Sequence, residues 1–416
     1  MQSNAYDVMV VGGGMVGAAL ALALKTQAQL SVALIEQDPV SEDWPSTDLA
    51  AYPTRVSAIS RASENLLKNL GVWSWLLEQQ QLYPFVGMQV CDADMTGEVH
   101  FDAMDIDEPN LGHLVANQAI QMALWHGLRQ HGITVMSGQT ITALSVDTEW
   151  AEVGFANHAP LNAKLVVGAD GAFSKVRQLA GIGLDQHDYQ QIALVGCVQT
   201  QADHQQICWQ RYTPTGPFAF LPMAPKISSI AWYMPADQQA WAMSLSKDAF
   251  HQQLYQASAG HLGEIVDSWE RASFQLSRRH AQAYVKPRVA LVGDSAHTIN
   301  PQAGQGVNLG LLDVASLVDV IMQAQVTLDD PVLFDPGCFS LLRQYERWRR
   351  GDNALMQRAM EVFDWGLGQQ AGLLNQVRPE LMKLANIAQP VKNKLMREAL
   401  YGRQPFPRLT QDQSQD

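Results

Sequence analysis

Residues 6–36 narrow the folds open to this chain more than any other stretch. Residues 6–11 are a largely β-branched run that predicts a buried strand. Gly12-Gly13-Gly14-Met15-Val16-Gly17 follows as a GxGxxG turn, and residues 18–24 read as an Ala/Leu helix. Residues 31–35 read as the next strand, which ends at Glu36. A strand, this turn, a helix and an acid about 20 residues further on make a dinucleotide-binding βαβ unit. Gly12 allows the tight turn, Gly14 lets backbone approach a pyrophosphate, and Gly17 lets helix and strand pack closely. Glu36 can accept from an adenosine ribose hydroxyl, which favours FAD or NAD over NADP. A chance glycine-rich turn would not bring the flanking strand, helix and acid.

Two further strand ends carry acids between glycines. Residues 161–167 lead into Gly168-Ala169-Asp170-Gly171. The glycines give the backbone freedom, and Asp170 stands where a ligand could sit. Ser174 suits a helix N-cap, and Arg177 reads as a helix-surface ion pair. Residues 289–292 read as a buried parallel strand, ended by Gly293 and Asp294. A Pro/Gly-rich loop follows, and a helix is expected to start near Gly306–Asn308. Ligands of open α/β sheets bind outside the carboxyl ends of the strands. There Asp294 can accept from sugar hydroxyls, and helix N–H groups can face a phosphate. Ordinary tight connections use the same residues, so this stretch gains weight from the other two.

The rest of the chain limits the function. Its 416 residues, 47% hydrophobic, suffice for two domains or one elaborated one. A net charge of −13 argues against nucleic acid as a partner. Cys91, Cys197, Cys208 and Cys338 lie far apart without a CxxC, which fits a reduced cytosolic protein. No HExxH or paired Cys/His spacing points to a metal. Residues 8–24 lack charge, but four glycines and no preceding basic residue argue against a signal or membrane helix, and no other segment qualifies. Residues 54–60 open a helical stretch to Leu70, stopped by Gly71. Residues 117–130 read as an amphipathic core helix. Residues 192–198, 207–212, 218–222 and 230–233 read as antiparallel strands. Their aromatic residues, Tyr212 and Phe220 among them, suit either a sheet core or an apolar substrate pocket.

The three motifs together resemble the flavoprotein monooxygenases of the aromatic hydroxylase type. Within that group the chain is most similar to the ubiquinone-biosynthesis hydroxylases, through residues 54–73 (TRVSAIS…LGVW), 168–182 (GADGAFSKVRQLAGI) and 278–310. Residues 209–222 (WQRYTPTGPFAFLP) resemble the branch acting on a polyprenyl methoxy-methyl benzoquinol. The resemblance implies FAD, with Gly12, Gly14 and Gly17 at the pyrophosphate and Glu36 at the ribose. It puts Arg55 by the phosphates or the flavin entry and Asp294 at the ribityl chain. Val307 and Asn308 would meet the flavin ring through backbone groups, and Gly306 opens the helix whose N-terminus can stabilise reduced flavin. Asp170 matches a fingerprint linked to both FAD and the nicotinamide cofactor. Pro301 matches the loop residue beside the reacting oxygen. Ser295 departs from the alanine common at its place.

The implied fold is α/β. A Rossmann-like FAD-binding domain with a parallel sheet takes residues 1–75, 104–180 and 278–330. An antiparallel-sheet substrate domain takes 76–103 and 181–277, and a helical region takes 331–416. The implied reaction uses O2 and NADPH or NADH to form a flavin C4a-hydroperoxide, which the ring of a polyprenyl quinol attacks. His297 is near enough in sequence to be considered as a base, with a structural hydrogen bond in its own loop as the other reading. The expected location is cytoplasmic, peripheral on the inner membrane and within a ubiquinone-biosynthesis complex. From residue 371 onward seven Lys/Arg stand against four acids, so a basic amphipathic helix there suits a membrane surface, or else packs on the FAD domain. The alternatives are hydroxylation of a soluble phenol such as 4-hydroxybenzoate, a sibling ring position, a flavin-bearing scaffold without turnover, and a plain dehydrogenase.

Overall fold

The computed structural model describes residues 5–38, 52–299, 306–327, 334–367, 382, 386 and 388–412. Runs of Val, Ile and Leu build its first sheet. Its hydrogen-bonded order is Val285–Lys286, Val289–Leu291, Leu161–Gly168, Ala5–Val11, Val32–Glu36, Thr134–Ser137. The central strands are parallel, and Val8–Val10 and Leu165–Val167 have no exposed surface. Strands buried on both faces read as continuous apolar runs, which is why these were visible in the sequence. In register, Val11 stands beside Gly168 and Gly168 beside Leu291. The three acid-bearing motifs therefore leave the sheet side by side.

The second sheet is mostly antiparallel. Its order is His297–Thr298, Ile265–Ala281, Leu184–Thr200, Ile227–Pro235, Gly216–Pro222, Ile207–Thr213, Gly87–Cys91, Glu98–Asp102. The helices Gln239–Ser244 and Lys247–Ala257 cover one of its faces. The chain enters this sheet at residues 87–102, leaves, and returns for residues 184–281. Its last long strand runs past 277 because residues 278–281 pair with 184–187.

Two local expectations need correction, and one hairpin carries little sequence signal. Residues 56–59 are a strand, not the start of a helix: Val56 and Ile59 pair with Ala116 and His113. The helix Arg61–Asn69 begins only after Ser60, whose hydroxyl caps it at Ser63 N. A hairpin at Ile141–Val146 and Ala151–Phe155 had no clear apolar alternation, since most of its first strand faces solvent. The helix Gly306–Thr327 is long and apolar enough to cross a membrane, yet 72% of its apolar window is buried inside the protein. Its Leu311, Val314, Leu317 and Ile321 pack in the main core.

Gly17 shows how tightly the first unit closes. A Cβ there would sit 1.9 Å from the Gly12 carbonyl oxygen. Gly17→Ala is therefore expected to destabilise the chain by about 1–3 kcal/mol through overpacking, read as a lower urea midpoint with unchanged slope.

Candidate active site

The N-terminal turn forms a backbone cradle. Gly12 has φ +105°, and a Cβ on it would strike the Ala169 carbonyl at 2.4 Å. Gly14 ends at the helix Met15–Thr26, where no side chain caps the free amides and a Cβ would meet only open space. Such an opening at a helix N-terminus fits a pyrophosphate. Glu36 closes the other side: its Oε2 accepts from Gly13 N at 2.5 Å and its Oε1 from Asp38 N at 2.9 Å. Trp125 Nε1 and Gln121 Nε2 both donate to the Gly13 carbonyl, at 2.8 and 3.0 Å. Gly13, Gln121 and Trp125 were missed from sequence, because the motif names only its first, third and sixth positions.

The middle fingerprint forms a joint. Asp170 Oδ2 accepts from Lys175 N at 2.6 Å and Val176 N at 3.0 Å, at the start of the helix Lys175–Leu179. Its Oδ1 is buried without a partner. Arg177 is no surface ion pair. It is 4% exposed and donates to the Ser295 carbonyl at 2.8 Å and the Ala172 carbonyl at 3.0 Å. The Ser295 hydroxyl in turn donates to the Gly168 carbonyl at 2.5 Å. Arg177 and Ser295 thus tie the second motif to the third.

The third motif turns at Gly293, with φ +59°. Its N–H donates to Asp313 Oδ2 at 3.0 Å. Asp294 is exposed just beyond. Even so, desolvation by the surrounding protein raises its carboxyl, against the lowering charges of His297, Arg55 and Arg279. Those three basic side chains are the ones whose fields reach the acid expected to meet the ribityl chain. Arg55 is exposed and holds its guanidinium 4.8 Å above the Phe274 ring. Gly306 opens the long helix, and Val307 beside it is half-buried. Asn308 is 1% exposed, accepts from Ser60 N at 3.1 Å and donates to the Ala58 carbonyl at 2.8 Å. Pro301 lies outside the described residues.

His297 is 2% exposed, with Nε2 2.6 Å from Asp313 Oδ2 and its ring stacked on Tyr284. Its partner is on the long helix, not in its own loop. Tyr212 and Phe220 do not share a pocket. Phe220 pairs across with Trp209, three residues before Tyr212, so strand alternation sends the two rings to opposite faces. Phe220 packs under the covering helices with Phe218 and Phe250, while Tyr212 packs with Val90 and Met382. The face turned toward Arg55 instead presents Phe274, near a cluster of Ala193, Tyr233 and Leu276.

The family described as FAD binding domain matches residues 5–326. The chain is 35% identical over 401 residues to the 3-demethoxyubiquinol 3-hydroxylase of Escherichia coli (strain K12), covering 96% of this chain and 100% of that protein. The chain belongs to the ubiquinone-biosynthesis hydroxylases, a family of FAD-dependent monooxygenases. Its similarity to the ubiquinone hydroxylase UbiL of Rhodospirillum rubrum is 36% over 351 residues, 84% of this chain and 79% of that one. The fold matches p-nitrophenol 4-monooxygenase PnpA from Pseudomonas putida DLL-E4 with a TM-score of 0.75 at 18% identity, over 96% and 98% of the two chains. The open Gly14 cradle, the Glu36 carboxylate and the exposed Asp294 fit FAD in this hydroxylase.

Asp313 gives a pH test. Burial alone would raise its carboxyl, but the His297 and Arg349 charges outweigh that and hold it at about 2. This lies below the unfolded value of about 3.9. Its contribution is therefore complete above about pH 4 and is lost as pH falls toward 2. Asp313→Asn, which leaves the buried Arg349 charge answered only by the half-exposed Asp352 at 3.3 Å, is expected to cost about 3 kcal/mol at pH 7. The gap to wild type should narrow below pH 4 in urea denaturation series.

Proposed function

We propose that this protein hydroxylates the aromatic ring of a polyprenylated methoxy-methyl benzoquinol in ubiquinone biosynthesis, using O2 and NADPH or NADH. The observation that carries this reading is the match to the 3-demethoxyubiquinol 3-hydroxylase along all of that protein's length. FAD, when bound, supplies the oxygen-activating and electron-carrying chemistry. The chain supplies the rest. Gly12–Gly14 and Glu36 hold the dinucleotide end, and Asp294 meets the ribityl hydroxyls. The N-terminus of the Gly306–Thr327 helix favours negative charge beside it. Phe274, Tyr233 and Leu276 offer an apolar wall that orients a ring and excludes water. His297, committed to Asp313, serves the turn next to Asp294 rather than a proton at the substrate.

Oxygen-dependent NAD(P)H oxidation by FAD-loaded protein tests the reading, with products weighed by mass spectrometry. A short-chain prenyl methoxy-methyl benzoquinol is expected to gain one oxygen, while 4-hydroxybenzoate does not. Gain on the soluble phenol alone would assign the protein to the other substrate class.

The same proposal makes the protein cytoplasmic, meeting the inner membrane where its substrate dissolves and working within a ubiquinone-biosynthesis complex. Most of residues 373–387 lies outside the described residues. The helix Gln389–Tyr401 supports the membrane contact on one side. Val391 and Leu395, one turn apart, are 62% and 57% exposed, and Lys394 and Arg397 are exposed with them. Lys392 is not available, because its Nζ is buried 3.1 Å from Asp105 Oδ2. Leu395→Glu is expected to reduce co-sedimentation with anionic liposomes several-fold. Unchanged binding would remove this helix from the membrane contact.

A further inference from the structure

The Arg347-Trp348-Arg349-Arg350 run lies on the helix Phe339–Leu367. Arg347 and Arg350 are exposed, as a solvated basic face would be. Arg349 is 4% exposed and turned inward. Its Nε donates to Asp313 Oδ1 at 2.8 Å, and another guanidinium nitrogen donates to Asn353 Oδ1 at 2.9 Å. Asn353 Nδ2 donates to the same Asp313 oxygen at 3.1 Å. The other oxygen, Oδ2, takes Gly293 N at 3.0 Å and His297 Nε2 at 2.6 Å. A carboxylate offers about four acceptor sites, so Asp313 is saturated and cannot turn.

Stability alone is a poor reason for this arrangement. Well-packed apolar residues in place of a buried ion pair are often neutral or stabilising. What the network does provide is orientation. It joins the Phe339–Leu367 helix to the one peptide N–H that directly precedes Asp294, and to the histidine whose charge acts on Asp294. We propose that Arg349 is a positioning residue for flavin binding: by fixing Asp313 it sets the place of the Gly293–Asp294 turn and the field at Asp294. The proposal rests on the FAD reading of this site.

The test uses the full chain with Arg349→Met and Arg349→Lys. FAD dissociation constants come from flavin fluorescence, the visible flavin spectrum from the loaded proteins, and apoprotein stability from urea denaturation. Arg349→Met is expected to weaken FAD binding about tenfold, the order found when a group that orients a ligating residue is removed. It should also shift the flavin absorption maxima. Arg349→Lys, which keeps the charge, should recover most of both. A folded Arg349→Met protein with FAD affinity within twofold of wild type and an unchanged spectrum overturns the proposal. Loss of FAD binding that only tracks the loss of urea stability across the two variants, with an unchanged spectrum, also overturns it, since a merely structural role would then account for the effect. If Arg349→Met does not fold, Asn353→Leu removes the other Oδ1 donor and leaves the ion pair. Weakened FAD binding is expected there, and unaltered binding overturns the proposal. Wild-type protein that fails to bind FAD would overturn the flavin reading itself, a result visible before any variant is made.

Discussion

Asp313 has no exposed surface, and taking a carboxylate out of water costs several kcal/mol unless its charge and lone pairs are answered. Here a guanidinium, an imidazole, an amide side chain and a peptide N–H answer it. These donors come from the turn after Leu291 and from the helix Phe339–Leu367, while Asp313 itself lies on Gly306–Thr327. One ion therefore sets three elements against each other. It also holds Tyr284 in place, since Asn353 reaches the Tyr284 hydroxyl at 3.4 Å. Removing the acid would take away the closest counter-charge of Arg349 and leave it only Asp352, at 3.3 Å, in the core.

The cofactor site follows from strand register. Val11, Gly168 and Leu291 are level across neighbouring strands, so motifs far apart in sequence emerge about 4.8 Å from strand to strand. Glycine at Gly12 and Gly17 is required by close approach, not by habit of the motif. Each meets backbone oxygen where a side chain would stand. Gly14 differs, because its neighbourhood is open, and the opening faces the amides of a helix start. Arg177 and Ser295 then brace the second and third motifs from behind.

Much of this could be read from the sequence, and what could not has identifiable causes. The parallel strands were legible because burial on both faces leaves uninterrupted apolar runs. Asp170 and Asp294 were legible because each follows such a run and sits beside a glycine. The strand at Val56–Ile59 was hidden by the helix signal that starts at Ser60, one residue later. Arg177, Arg349 and Asp313 carry no local mark, since a charged residue on a helix normally faces water. Only their long-range partners make them internal. Tyr212 and Phe220 show the same limit on a sheet. Both are aromatic and close in sequence, but the hairpin between them settles their faces, and that depends on register. The basic tail had two readings, and Lys392 takes the packed one while Val391 and Leu395 remain exposed.

The interleaving of the two sheets also governs how the chain can come to its fold. Val8 can pair with Val32 early, but its partner on the other edge is Leu165. At about 5–20 residues per second, that edge waits on the order of ten seconds during synthesis. The next strand, Val289–Leu291, arrives only after nearly all of the antiparallel sheet has been made. Neither sheet can mature as a finished N-terminal unit, so their assembly is linked in time. Such non-local pairing is slow, and an unpaired apolar edge is a template for wrong partners. In this protein the price of bringing three distant motifs to one edge is thus a nascent chain that stays open, and vulnerable to aggregation, for most of its synthesis.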